Sequence, residues 1–367
     1  MRGRATGSQT LTELGGTINT IKLTSSNALP SPAPVSFADA FAKTGNLEAQ
    51  PLEPGAYVLD WLEVHEGMRV TVAQDTRLIS PVDTEFGELW VTLKPAQNPT
   101  PRGGSAYVSY DDPNSGRLML QALNGAPGGN IRQVFLFNPA RTAFVDRPGG
   151  DANTAVTVLK ARPTSNQIML SASPGRINPT SSVWNASRKP LVGEFLYDGN
   201  KQLFVIANHF NSKGGDYPLT AAVQPPNRTS EVQRIGQATE VRDFVADLAA
   251  KSGNTARVVV LGDINDYQFS PTLATLTDNG ALLKTLISEL PVNERYSYVF
   301  DGNSQTLDHI LISPTIKGYS YGVVHINAEF SDQASDHDPQ ILRILTGCGS
   351  EPLPERCRPG SPVVDVR

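Results

Sequence analysis

Four segments in the second half of the chain each place Asp, Asn or His at one end of an apolar run, after it in the first two and before it in the last two. They are Asn208-His209-Phe210-Asn211-Ser212-Lys213, Gly262-Asp263-Ile264-Asn265-Asp266, Leu307-Asp308-His309 and Ser335-Asp336-His337-Asp338-Pro339. Three of the five histidines lie in these segments, so most of the side chains that titrate near neutral pH are gathered there. The stretches Leu203-Phe204-Val205-Ile206-Ala207 and Arg257-Val258-Val259-Val260-Leu261 lead into the first two, and both read as buried strands. Neighbouring buried strands expose their last residues along one edge of a sheet. This limits the second half of the chain to a mixed α/β layer whose sheet edge carries acids, amides and imidazoles. Phosphodiester hydrolysis needs these side-chain types: a base or orienting group for water, charge at the leaving oxygen, and hard oxygen ligands for Mg²⁺ or Mn²⁺.

Between those strands, Ser230-Glu231-Val232-Gln233 has the form of a capping box. It predicts a helix with an apolar face of Val232, Ile235, Val241, Val245 and Leu248, stopping at Gly253. Pro190-Leu191-Val192-Gly193-Glu194-Phe195 reads as a further strand. The first 115 residues instead read as β structure without a catalytic constellation. Their strand candidates are Thr17–Leu23, the alternating Met68–Val72 and the more apolar Glu88–Leu93, with the spacer Pro30-Ser31-Pro32-Ala33-Pro34 between the first two. A Gly/Pro loop, Asn124 to Asn130, then leads into a strand candidate at Ile131–Phe137. Such a loop is either a plain turn or a cradle of backbone N–H groups for phosphate.

The ordered motifs Asn-His-Phe-x-Ser-Lys, Gly-Asp-x-Asn-Asp, Leu-Asp-His and Ser-Asp-His-Asp-Pro resemble the endonuclease/exonuclease/phosphatase superfamily, whose fold is that of DNase I. Within it, the stretch Ile206 to Asp216 is most similar to bacterial extracellular nucleases of the ExeM/NucH type. The resemblance covers roughly Asn124 to Leu345. It implies an α+β fold, a DNase I-like α/β sandwich over 124–345, preceded by a small all-β, OB-like domain over 1–115 and followed by a Pro/Gly-rich tail over 346–367. It also implies roles. His209 and His337 would be the catalytic histidines, with Asp308 holding the tautomer of His337. Asp263 would orient or deprotonate water, and Asn265 would bond a phosphate oxygen. Arg188 and Asn208 would contact substrate. Asp336 would be a ligand of Mg²⁺, with Mn²⁺ or Ca²⁺ as alternatives. His65, His309 and His325 read as structural, and Asp266 and Asp338 as turn or supporting residues.

The chain also departs from the superfamily's pattern. The strand ending in Phe-Asn-x-x-Asn and the Gln-Glu or Met-Glu pair that supplies a metal-binding Glu are missing. Leu118-Met119-Leu120-Gln121-Ala122-Leu123 stands in their place. A shortened member of weak or no activity is therefore the expectation. The leading function remains a metal-dependent endonuclease acting on DNA, or RNA. The alternatives are a phosphomonoesterase or lipid phosphodiesterase of the same superfamily, and a non-catalytic nucleic-acid-binding remnant. Nucleic acid is the expected partner, with no protein partner predicted. The net charge of −5 argues against binding it through a broadly basic surface. No apolar run is long enough to span a bilayer. Secretion is implied by the resemblance alone, since no apolar segment of signal-peptide type follows Met1. Cys348 and Cys357 could close a small loop.

Overall fold

The computed structural model describes residues 33–345 except 36, 66–67, 69, 72–74, 81–87, 122–132, 134, 136, 138–140 and 199. The strand expected at Thr17–Leu23, the loop at 124–130 and both cysteines lie outside the described residues, as does most of the strand expected at Ile131–Phe137. Among the described residues before 115, the expected all-β pattern meets an exception in helix α1 (Val58–His65). Trp61 of α1 packs with Val35 and Leu93. The expected strand at 88–93 is present as Glu88–Thr92, paired antiparallel with Arg117–Gln121.

The second half is built on one seven-stranded mixed sheet. Its strands are β1 (Thr142–Phe144), β2 (Gly175–Arg176), β3 (Leu191–Tyr197), β4 (Lys201–His209), β5 (Val258–Asp263), β6 (Lys284–Thr285) and β7 (Asp308–Ile312). The spatial order is β2-β3-β4-β5-β7-β6, with β1 also pairing β3. Only β4 and β5 run parallel. The long helix α2 (Glu231–Lys251) makes the crossover that a parallel pair requires.

Alternation along the strands sends side chains to two different layers. Phe204, Ile206, Val258, Val260 and Leu311 face α2 and the short helix α3 (Pro271–Thr277), meeting Val241, Val245, Leu248, Leu273 and Leu276. Val259, Ile310 and Ile312 face the other way, onto Leu286, Ile316 and Tyr319. That second layer is completed by the hairpin Tyr319–Val323/Gln340–Ile344. Full burial of each of these aliphatic side chains contributes about 1.5–3 kcal/mol, so β5, buried on both faces, anchors the sheet. The fold is α+β with the DNase I-like arrangement that the sequence motifs imply.

The capping box does not form. Ser230 makes no side-chain cap bond; its hydroxyl donates to Asp216 (2.7 Å), while the Gln233 amide donates to the carbonyls of Val183 and Asn185. Val232, expected on the buried face, is 76% exposed. The first two turns of α2 bury Glu231, Arg234 and Gln237 instead. These turns face the polar loop after β4, so the apolar face begins only at Ala238. Beyond the helix, Gly253 has φ +65°, consistent with the predicted stop.

Residues 100–117 run against the second half of the chain. Arg102 bonds Tyr296, Glu294 and Glu329, and Asn114 donates to Asn303 (2.7 Å).

Candidate active site

Strand register assembles the site. In the β4–β5 ladder His209 is opposite Asp263, and in the β5–β7 ladder Asp263 is opposite Asp308. Three strand ends therefore place His209, Asp263 and Asp308 in one row across the sheet edge. The fourth motif joins the row from outside. His337 bridges to Tyr298, and its Nδ1 lies 2.6 Å from Asp308 Oδ2. That carboxylate oxygen also accepts from the Ser297 hydroxyl (2.8 Å), and the Tyr298 ring lies 4.8 Å from the His337 ring. At the other end of the row, His209 Nε2 is 3.3 Å from Asp263 Oδ2.

The row separates its charges. Burial works to lower the pKa of His337. The hydrogen bond and charge of Asp308, with Asp263 and Asp336 nearby, overcome it and push the group up to about 9. His209 is pushed down to about 4 by burial, with Arg188 and His337 adding their positive charge. Burial and the neighbouring Asp308 push Asp263 up to about 7. Near neutral pH the two imidazoles therefore carry different charges, one cationic and one neutral. A carboxylate poised to exchange a proton lies between them.

The remaining predicted residues divide between those the fold brings to the row and those it keeps away. Arg188 stands beside it, with Nη2 donating to the Phe210 carbonyl (2.6 Å) and Nε buried without a partner among the described residues. Asn265 is adjacent, but its amide nitrogen donates to Asp263 Oδ2 (3.0 Å) and the Phe210 carbonyl (3.2 Å). In this arrangement it orients Asp263 and has no free N–H for a phosphate. Asn208, expected at the substrate, is 4% exposed. It precedes His209 on β4 and so faces the opposite way, its amide donating to the carbonyls of Ile206 and Leu261. Asp336 is exposed and has no hydrogen-bond partner among the described residues.

The side chains read as structural have inward partners. His309 is 1% exposed, and its Nε2 contacts the Asp266 carbonyl at 2.8 Å. His325 bonds Asp338 (2.9 Å), and His65 bonds the Trp61 carbonyl (2.8 Å). Asp338 also accepts three backbone N–H groups, from Ile326, Asn327 and Ala328, which fixes the loop next to His337. Asp266 is fully buried and holds Arg234 (3.0 Å), Lys213 (3.2 Å) and Thr272 (2.6 Å). Ser297 and Tyr298, which hold Asp308 and cover His337, carry no sequence signal of their own, lying at the start of the short strand Tyr298–Phe300.

The donor set does not make a preformed metal cage. The Asp263 and Asp308 carboxylates are committed to Asn265, His209, Ser297 and His337, which leaves Asp336 as the free carboxylate at the row. No three His, Cys, Asp or Glu side chains among the described residues are placed to share one ion. Also among the described residues, no helix is long and apolar enough to cross a membrane.

Residues 86–337, more than half of the chain, match the family described as the Endonuclease/Exonuclease/phosphatase family. Residues 25–139 match a family described as a domain of unknown function. No curated protein matches. Similar solved structures include a mannosyl-6-phosphatase from Bacteroides thetaiotaomicron VPI-5482, at 16% identity and a TM-score of 0.35, covering 57% of this chain and 69% of that one. The human Nocturnin catalytic domain is 12% identical with a TM-score of 0.34, over 56% of this chain and 62% of that one. A Staphylococcus aureus beta toxin with bound magnesium ions is 17% identical with a TM-score of 0.29, over 42% of this chain and 57% of that one.

Proposed function

Because this chain belongs to the endonuclease/exonuclease/phosphatase family, we propose that it hydrolyses phosphodiesters of nucleic acid, DNA first and RNA second, as a slow secreted nuclease. The observation that carries this is the row itself: strand register aligns His209, Asp263 and Asp308, and His337 closes on Asp308.

In this reading the scissile phosphate sits between His337 and Arg188. His337, held cationic by Asp308, stabilises the charge that builds on the phosphate oxygens as the transition state forms. Asp263, raised to about 7 and oriented by Asn265, draws the proton from the attacking water. Neutral His209, with its single N–H turned to Asp263 through Nε2, steadies that carboxylate without adding a second full charge beside Arg188. A divalent cation, Mg²⁺ with Mn²⁺ or Ca²⁺ as substitutes, would supply further charge neutralisation when bound. Asp336 is its proposed carboxylate. With a single protein carboxylate, occupancy depends on the substrate's phosphate, so half-saturation with metal is expected at unusually high concentration.

The test is nicking of supercoiled plasmid with Mg²⁺ or Mn²⁺ by the full chain and by His337→Ala, with a small phosphomonoester as a parallel substrate. Slow nicking that His337→Ala abolishes supports the reading. An inert wild-type chain, or nicking that survives in His337→Ala, overturns it. Turnover of the monoester alone would move the assignment to a phosphomonoesterase.

A further inference from the structure

A cleft of about 450 Å³ opens beside the row. Asn265, which orients Asp263, and Tyr298, which covers His337, both form part of its wall, so any group held there adjoins the reacting phosphate. The wall is unusually aromatic: Tyr107, Tyr110, Tyr217, Tyr267, Tyr298 and Phe300. Tyr267 and Phe269 stack at 5.3 Å, and Tyr107 and Tyr110 meet that pair edge-on. The cleft's two cations lie over rings rather than standing free. Lys213 Nζ is 4.2 Å from the Tyr267 centroid, and the Arg228 guanidinium is 4.1 Å from that of Tyr110. At the mouth Phe300 is 54% exposed, its ring within 11° of parallel to Tyr298.

A second observation points to a ligand with a polar edge. Tyr107 is 2% exposed, yet its buried hydroxyl has no hydrogen-bond partner among the described residues. A buried phenol ordinarily finds one. The edge-to-face contacts with Tyr267 and Phe269 keep this ring from swinging out to water.

We propose that this cleft holds one unpaired nucleobase of the substrate beside the scissile phosphate, so that nucleotides and single strands are taken in preference to duplex. A base supplies flat π-faces for the rings and edge acceptors for a hydroxyl such as that of Tyr107. The volume suits one small ligand and is far too small for a duplex. A lipid chain would leave the hydroxyl without use, and a bare phosphate would leave the rings without use. The inference rests on the phosphoesterase reading for its substrate but not for its test.

The test measures binding without turnover, by calorimetry in EDTA on the full chain, using adenosine 5′-monophosphate and ribose 5-phosphate. The two ligands share the phosphate and sugar and differ in the base. The nucleotide is expected to bind at least about tenfold more tightly. Phe300→Ala and Tyr217→Ala should remove most of that difference and leave ribose 5-phosphate binding unchanged. Tyr107→Phe should weaken the nucleotide about fivefold with no loss of thermal stability, since the hydroxyl has no partner inside the protein. Equal affinities, no detectable nucleotide binding, or a preference untouched by all three variants would overturn the inference. If base recognition fails while plasmid nicking persists, the inference falls alone. If nucleotide binds and no ester is cleaved, the hydrolytic reading falls and the cleft stands.

Discussion

Gly262→Ala is the sharpest perturbation of the site that avoids its chemical groups. Gly262 precedes Asp263 at the end of β5, with φ +122°, a region that side-chain-bearing residues rarely adopt. It pairs with Asn208 in the β4–β5 ladder. A Cβ at this position would lie 2.1 Å from the Asn208 carbonyl oxygen and 3.0 Å from its carbon. The obstacle is backbone of a central strand, so relief requires the strands to part by roughly 1 Å, which breaks close packing. Backbone strain of ~1–3 kcal/mol and overpacking of ~1–3 kcal/mol together predict a loss of about 2–6 kcal/mol. That is a large share of the ~5–15 kcal/mol typical of a folded domain.

The same displacement moves Asp263, 3.3 Å from His209, along the row. Misplacement on this scale can cost on the order of 100-fold in rate even in molecules that stay folded. Urea unfolding followed by circular dichroism gives the first number, and ester hydrolysis at low temperature gives the second. Gly322→Ala is the control, because nothing lies within 4 Å of its added Cβ and its φ is ordinary. A Gly262→Ala protein within about 1 kcal/mol of wild type, with an unchanged rate, would refute the claim that close approach of β4 and β5 sets the row; so would equal damage from Gly322→Ala.

Asp308→Asn removes the charge that keeps His337 protonated. In NMR titration of the five histidines in metal-free buffer, His337 should fall from about 9 toward the ordinary value, since only the Asp263 and Asp336 charges then oppose burial; an unmoved titration refutes the pairing. The pH–rate profile should rise through about 7 as Asp263 ionises and fall through about 9 as His337 loses its proton. Asp263→Asn should remove the acid limb along with most of the rate, and an acid limb that survives assigns the base elsewhere. For stability His209 and Asp263 have opposite signs. Depression of His209 from 6.5 to about 4 stabilises the fold above pH 6.5, an effect lost as pH falls toward 4. Elevation of Asp263 from 3.8 to about 7 stabilises it below pH 3.8, an effect lost as pH rises through 7. His209→Gln should therefore leave a protein whose stability declines more steeply from pH 4 to 7 than the wild type's. Parallel curves in equilibrium unfolding would show that His209 is not neutral in the fold.

What could be read from the sequence follows how each residue's role is encoded. β4 and β5 were legible because continuous β-branched and aromatic runs have one stable destination, the centre of a sheet. Once they are neighbours, His209 and Asp263 must share an edge. Asn208 looks like part of the site because a motif of adjacent letters reads as one unit, whereas strand alternation sends consecutive side chains to opposite faces. Val232 shows the converse: hydropathy ranks it above Arg234 and Gln237, but the loop after β4 offers that turn of α2 carboxylates and carbonyls, so the polar side chains are the buried ones. Asp216 and Asp266 fully bury Arg234 through two ion pairs. The supports Ser297 and Tyr298 were invisible because their value lies in being opposite His337, a long-range pairing that no local window contains. Gly262 shows how the two kinds of information combine. Within its own motif it is a small residue before an Asp; only the register with Asn208 makes it the one side chain that lets the two strands approach closely enough for His209 and Asp263 to act together.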